Sequence, residues 1–268
     1  MNFFEKLGLF IIGPYYPKLF NFYGEWLWMF LFFFPLDLQT ILILVAIHVA
    51  LNLYQLQTQE PILNATFGTM PEEIISAITE KASRDCITKH TSLYVTNYPS
   101  INAFCARNLN NCKIIISHHW FESDEKKQYL NAILEHEFGH AREHHNLKAF
   151  IINSFLFTAG ITCCYLSTLF IEPTQDTTTY FLLFNFIIFR ITTFLQTWYT
   201  QHNEYQADAQ ALSHISPQEM ISALLFLKAN SASEQIRENQ PSWIGTHPKI
   251  SDRIKAIEKI SQKNTDIL

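Results

Sequence analysis

Charge is scarce in this chain. Asp, Glu, Lys and Arg make up 16% of its 268 residues, against ~25% in an average soluble domain. The net charge is −5 and no lysine-rich or arginine-rich run occurs, so nothing electrostatic points to a nucleic-acid partner. Glycine is also rare: with 7 Gly there is no phosphate-cradling loop and no Gly-x-Ser-x-Gly elbow, which argues against a nucleotide site or a serine hydrolase. The 5 cysteines are odd in number and none are in Cys-x-x-Cys spacing. A disulfide framework and a cysteine-rich zinc site are therefore not expected, and a reducing compartment is the simpler reading. Adjacent Cys163 and Cys164 sit in an apolar run and read as small packing residues. Apolar residues, by contrast, are plentiful: they make up 48% of the chain and include 23 Phe, which excludes intrinsic disorder.

The apolar residues are clustered. Ala149 to Ile171 holds no charged side chain over 23 residues, about 34 Å of helix and enough to cross a ~30 Å hydrocarbon core. Residues 180–199 form a second run, interrupted only by Arg190, and Leu38 to Leu56 a third without formal charge. Leu19 to Leu36 is a fourth, apolar except for Asn21 and Glu25 and broken by Pro35. The alternative for each is a buried core helix or, for residues 19–36, an interfacial segment. No short apolar stretch with a basic flank and small-residue cleavage site marks a secretory leader. Arg190 is costly in lipid and should face protein, a polar cavity or a snorkelling route, with Glu25 as a candidate partner.

These runs divide the chain into N-terminal membrane segments (1–56), a polar block (57–147), a membrane hairpin (148–199) and a second polar block (200–268). A hairpin returns the chain to the side it left, so both polar blocks share one side. The opposite linkers, around Asp37 and from Glu172 to Thr179, carry no Lys or Arg, whereas Lys6, Lys18 and Lys148 lie at the other ends. The positive-inside rule then turns the polar blocks to the cytoplasm. In the first block Pro71 opens an amphipathic helix, and Leu93–Thr96, Ile101–Cys105 and Lys113–Ser117 read as short strands. Ser123 caps a helix running to Ala141. In the second block Ser216-Pro-Gln-Glu219 has capping-box spacing, and Ile250, Ile254 and Ile257 mark a last amphipathic helix. The expected class is α+β, with about four transmembrane helices and a soluble domain built from two chain segments.

The helix capped by Ser123 contains His136-Glu137-Phe138-Gly139-His140. Spacing of four stacks both imidazoles on one face, where they can bind one metal ion, and Glu137 stands beside it as a candidate base. A catalytic zinc needs a third protein ligand. Glu204-Tyr-Gln-Ala-Asp208 follows the second hairpin helix and puts Glu204 and Asp208 on one face. Glu204 can ligate the metal while Asp208 holds the free ring nitrogen of a ligand histidine; the alternative is a solvated acidic face. His118, His119, His144 and His145 read as surface residues, and His48 as a hydrogen-bonded interior histidine.

These pieces, with Asn102-Ala103-Phe104 and Thr246-His247-Pro248 followed by Arg253, resemble the HtpX family of membrane zinc metalloproteases, relatives of the CAAX prenyl proteases. They occur in that family's order over about residues 20–260. Cys105 departs from the pattern, which more often has alanine there, as does the short first apolar run. The resemblance implies that Asn102, Ala103 and Phe104 lie on a strand edge that pairs with an extended substrate; an ordinary hairpin strand is the alternative. It implies that His247 donates to the oxyanion, where the bland reading is a turn histidine. Arg253 would orient the site by pairing with Glu204 or Asp208, or is simply solvated.

The expectation is therefore an integral membrane endopeptidase of the bacterial inner membrane, holding one Zn²⁺ with His136, His140 and Glu204 and using Glu137 as base. Its implied substrates are misfolded membrane proteins, in a quality-control role, and no nucleic acid is expected as a partner. Two rivals stand beside it: processing of prenylated CAAX termini, and a non-catalytic zinc-binding membrane protein.

Overall fold

The computed structural model describes residues 38–57, 76, 78, 80, 81, 90–96, 101, 103–107, 111–170, 177–241, 245 and 247–265. The run at 19–36, the helix start at Pro71, Asn102, Thr246 and the linker around Glu172 lie outside them. The described residues form a mostly helical protein with one small sheet. In chain order these elements are α1 (Leu38–Gln57), β1 (His90–Thr96), β2 (Ala103–Arg107), β3 (Asn111–Ser117), a 3₁₀ turn (His118–Phe121), α2 (Asp124–Arg142) and α3 (His145–Phe170). They continue with α4 (Thr178–Ala211), α5 (Pro217–Asn230), α6 (Ala232–Glu238) and α7 (Ile250–Thr265). The chain forms two compact units, each from two segments: Met1–Ile62 with Phe150–Gln196, and Leu63–Ala149 with Thr197–Leu268.

In the first unit α3 and α4 are long and apolar enough to cross a membrane, and α1 carries the shorter apolar stretch Leu38–Ala50. Ile41, Phe157, Ile161, Cys164 and Phe189 pack together. Phe155, Leu169, Phe170 and Leu183 point outward, a distribution that suits lipid and not water. The hydroxyls of Thr158, Thr162 and Thr168 donate to carbonyls of their own helix at 2.7–2.8 Å, so these polar groups are satisfied without solvent. Ser167 Oγ meets Asn185 Oδ1 across the hairpin at 3.4 Å. His48 stacks on the Phe157 ring, centroids 3.7 Å apart. Arg190 is exposed among the described residues.

The second unit holds the sheet. β3 is central, parallel to β1 and antiparallel to β2. Strand β2 begins and ends two residues later than its sequence pattern suggests. Its last residue, Arg107, is buried, and Nη1 donates to the Ala141 carbonyl at 2.8 Å, near the C-terminus of α2. A charge that would ordinarily end a strand is thereby held inside one. Ser123 caps α2, its hydroxyl accepting from the Lys126 N–H, and Ser216 and Glu219 form the reciprocal capping box of α5. Leu130, Ile133, Leu134, Phe138 and Ala141 face the core along α2 and pack among Ile114, Ile116, Trp120, Met220, Leu224, Ile250 and Ile257. Phe138 is fully buried. Truncating such a side chain costs ~3–5 kcal/mol, so it fixes the rotation of α2 about its axis and hence the direction of the residues flanking it.

Candidate metal centre

Helix α2 presents His136 and His140 one turn apart, their Nε2 atoms 3.2 Å from each other. Helix α4, from the other chain segment, continues beyond its apolar stretch and brings Glu204 to both. Oε2 lies 3.3 Å from His136 Nε2, and Oε1 3.5 Å from His140 Nε2. Three ligands each ~2.0–2.1 Å from one tetrahedral ion stand about 3.3 Å apart, so these donors fit a small divalent cation. Two imidazoles and a carboxylate are also a donor set that suits zinc. The approach of the two helices depends on Gly139: a Cβ there would lie 2.6 Å from the Ala207 carbonyl oxygen and 2.9 Å from its Cα. A mid-helix glycine costs ~0.5–1 kcal/mol relative to alanine, and here the missing side chain lets α4 reach α2.

Behind the imidazoles the polar groups are paired and dry. His136 Nδ1 lies 2.8 Å from Asp208 Oδ1, and Arg253 grips Asp208 with Nε (2.8 Å) and Nη2 (2.6 Å). His136, Glu204, Asp208 and Arg253 are all buried. Burial and the Arg253 charge lower the basicity of His136, but hydrogen bonds and charge from Asp208 and Glu204 outweigh them and lift its pKa to about 9. Burial pushes Glu204 up, yet the His247 charge and three histidine hydrogen bonds hold it well below the usual carboxylate range. Burial likewise opposes ionisation of Asp208, and Arg253 more than offsets it. The pocket is thus built to hold positive charge between the two imidazoles.

Glu137 is tied to the sheet: its Oε2 accepts the Cys105 backbone N–H at 3.0 Å. That N–H faces away from β3, and backbone groups alternate sides along a strand. Those of Ala103 therefore face the same way, along the β2 edge. Ala103 is buried and Phe104 is 40% exposed. His247 Nδ1 lies 2.9 Å from Glu204 Oε1, and its side chain remains 55% exposed. Its pKa is raised, chiefly by the Glu204 charge. The loop carrying it is held by Gln201, whose Nε2 donates to the Gly245 carbonyl at 2.6 Å, and by Arg237 beneath Gly245.

Of the sequence-derived site residues, the structure gathers His136, His140, Glu204, His247, Asp208 and Arg253 around one point. Glu137 lies between that helix face and β2, and Ala103 and Phe104 begin the strand. The surface assignment of His145 needs correction: it is 3% exposed, because its ring turns inward against His140. His118 and His119 are half-buried and gather with Glu122 into a second group able to hold a metal. There Lys126 Nζ, 2.6 Å from Glu122 Oε2, already neutralises the carboxylate, and His119 Nδ1 lies 2.5 Å from Oε1. Gly139 carries weight that the motif reading missed; an unfavourable residue kept mid-helix was the available signal.

Residues 70–261 match the profile of peptidase family M48. Among similar proteins, a "Protease HtpX homolog" of Neisseria meningitidis is 24% identical over 196 residues, 68% of this chain and 70% of that protein. "Protease HtpX" of Buchnera aphidicola is 26% identical over 184 residues, 59% and 63% of the two chains. The crystal structure of S. mikatae Ste24p aligns with a TM-score of 0.58 at 19% identity, covering 94% of this chain and 64% of that one. That likeness carries the fold, and the profile match, spanning most of the sequence, carries the family. The chain is a membrane metallopeptidase belonging to peptidase family M48.

Proposed function

We propose that this protein is a zinc endopeptidase of the bacterial inner membrane, with its active site on the cytoplasmic side and misfolded membrane proteins as substrates. The observation that carries the reading is the 3.2–3.5 Å spacing of three ligand atoms on His136, His140 and Glu204, with the Glu137 carboxylate fixed nearby. When bound, zinc supplies Lewis acidity for the peptide carbonyl and makes water more acidic. Glu137 takes the proton from the attacking water and delivers it to the leaving amine nitrogen, so no acyl-enzyme forms. His247, protonated beside the Glu204 charge and donating Nδ1–H to it, has Nε2–H left to donate to the substrate oxygen as negative charge grows there. Asp208 fixes the His136 tautomer by accepting Nδ1–H, and Arg253 keeps Asp208 ionised. Within the stretch Asn102, Ala103 and Phe104, Ala103 turns its main-chain groups outward to an extended peptide, which adds as a strand beside β2. The cytoplasmic orientation rests on Lys6, Lys18 and Lys148 and on the absence of basic residues from the opposite linkers.

The test is to purify the full chain in detergent and measure zinc and cleavage of an unfolded membrane protein, before and after chelation and zinc return. One zinc per chain and activity that follows the metal are expected. A chain that binds zinc but cleaves nothing would be the non-catalytic rival. Preference for a prenylated peptide over the unfolded protein would establish the other rival, CAAX-type processing.

A further inference from the structure

We infer that His145 is a positioning residue of the metal centre: it holds His140 from behind through a neutral hydrogen-bond relay that ends on Gln206. The inference rests on the metal-centre reading above. A histidine that gives its Nε2 lone pair to a metal carries its proton on Nδ1, and that N–H needs an acceptor. For His136 the acceptor is the Asp208 carboxylate. For His140 the group opposite Nδ1 is Nδ1 of His145, at 2.8 Å, with the rings edge to face and centroids 4.9 Å apart. On its far side His145 Nε2 lies 3.1 Å from Gln206 Oε1.

Proton bookkeeping allows one arrangement when His140 ligates. His140 Nδ1–H donates to His145 Nδ1, and His145 Nε2–H donates to the Gln206 side-chain oxygen. Burial of His145 keeps water from substituting at either nitrogen. The backbone is bent to make this contact. Between α2 and α3, His144 adopts φ 53°, the one positive φ at a non-glycine position among the described residues. L-residues seldom occupy that conformation, and it is secured here by the His144 N–H to the Ala141 carbonyl (3.1 Å) and the Lys148 N–H to the His144 carbonyl (3.0 Å). Helix α4 then serves both imidazoles, with Asp208 behind His136, Gln206 at the end of the relay behind His140, and Glu204 reaching both rings. One ligand is backed by an anion and the other by a neutral ring, so the two histidines are held with unequal electrostatic push.

The experiment uses the full chain in detergent, with zinc affinity read by chelator competition and ligand geometry by the visible absorption of the Co²⁺-substituted protein. His145→Phe keeps a ring and removes the acceptor. Its zinc affinity should fall ~10–100-fold and its Co²⁺ spectrum should shift, while saturating zinc still gives the wild-type stoichiometry. His145→Asn, whose Oδ1 can replace Nδ1, should recover most of the affinity; Gln206→Leu should weaken it less than His145→Phe does, and His119→Ala should not change it. Wild-type affinity and spectrum in His145→Phe would overturn the inference, as would failure of His145→Asn to recover affinity in a protein that melts like wild type. If His136→Ala leaves zinc binding intact, the metal-centre reading itself has failed; if His136→Ala abolishes it and His145→Phe does nothing, only the relay has.

Discussion

Around His136 the side chains are dry and mutually committed: Asp208 is 2% exposed, Glu204 4% and Arg253 8%, and each touches at least one of the others. Around the β2 edge and the His247 loop they are open, with Phe104 40% and the His247 side chain 55% exposed. The cradle has a fixed guest of fixed size, and pre-arranged buried partners keep its ligands in register at the cost of desolvating several charges. On the proposed function the edge accepts and releases a chain of varied sequence, a task that main-chain groups and half-covered side chains suit. Glu137 joins the two, being carried on the cradle's helix and hydrogen-bonded to the edge strand at Cys105.

The contrast is sharpest at the ligands. His136→Ala, His140→Ala and Glu204→Ala should each abolish stoichiometric zinc and, with it, hydrolysis; metal analysis beside an activity assay checks this. An effect on hydrolysis without metal loss would move that residue from cradle to edge. His247→Ala should behave as an edge residue, with zinc retained, apparent substrate affinity little changed and turnover down ~10²–10³-fold. Zinc loss in that variant would make His247 part of the cradle.

Gly139→Ala should disturb the cradle through packing alone. Overpacking of this kind costs typically ~1–3 kcal/mol. The added methyl would press on the Ala207 backbone and push Glu204 away, lowering both thermal stability and zinc affinity. The cradle should also titrate. With its pKa raised to about 9, His136 carries a proton in the metal-free protein below that pH, and the proton must leave before zinc binds. Apparent zinc affinity should therefore rise with pH, by up to about tenfold per unit for this one proton, and flatten above about pH 9. Chelator competition across pH reads it, and affinity that falls with rising pH would contradict the assignment.

What could be read from the sequence was what one helix can state alone. His136 with His140, and Glu204 with Asp208, are each four apart on a single helix, so the 3.6-residue period announced a shared face. The Ser123 and Ser216 caps were legible for the same reason: their partners are three residues away. What failed to show lay between elements. Gly139 matters because of where Ala207 comes, and His145 because His144 turns the chain through an unusual φ; neither contact has a local signature. Arg253 looked as well suited to solvent as to a partner until α7, with Ile250 and Ile257 buried, turned it inward onto Asp208. The two-residue shift of β2 has the same origin, since Arg107 can end a strand inside the protein only when the end of α2 is there to receive it.

The most direct test is Glu137→Gln, with zinc content and peptide hydrolysis measured on one preparation. Glutamine fills the same space and, through its side-chain oxygen, can still accept the Cys105 N–H, but it cannot take the proton from water. Zinc should remain at one per chain while hydrolysis falls ~10²–10⁴-fold. A variant that keeps its zinc and more than about a tenth of wild-type activity would remove Glu137 from the chemistry and contradict a metal-and-base peptidase.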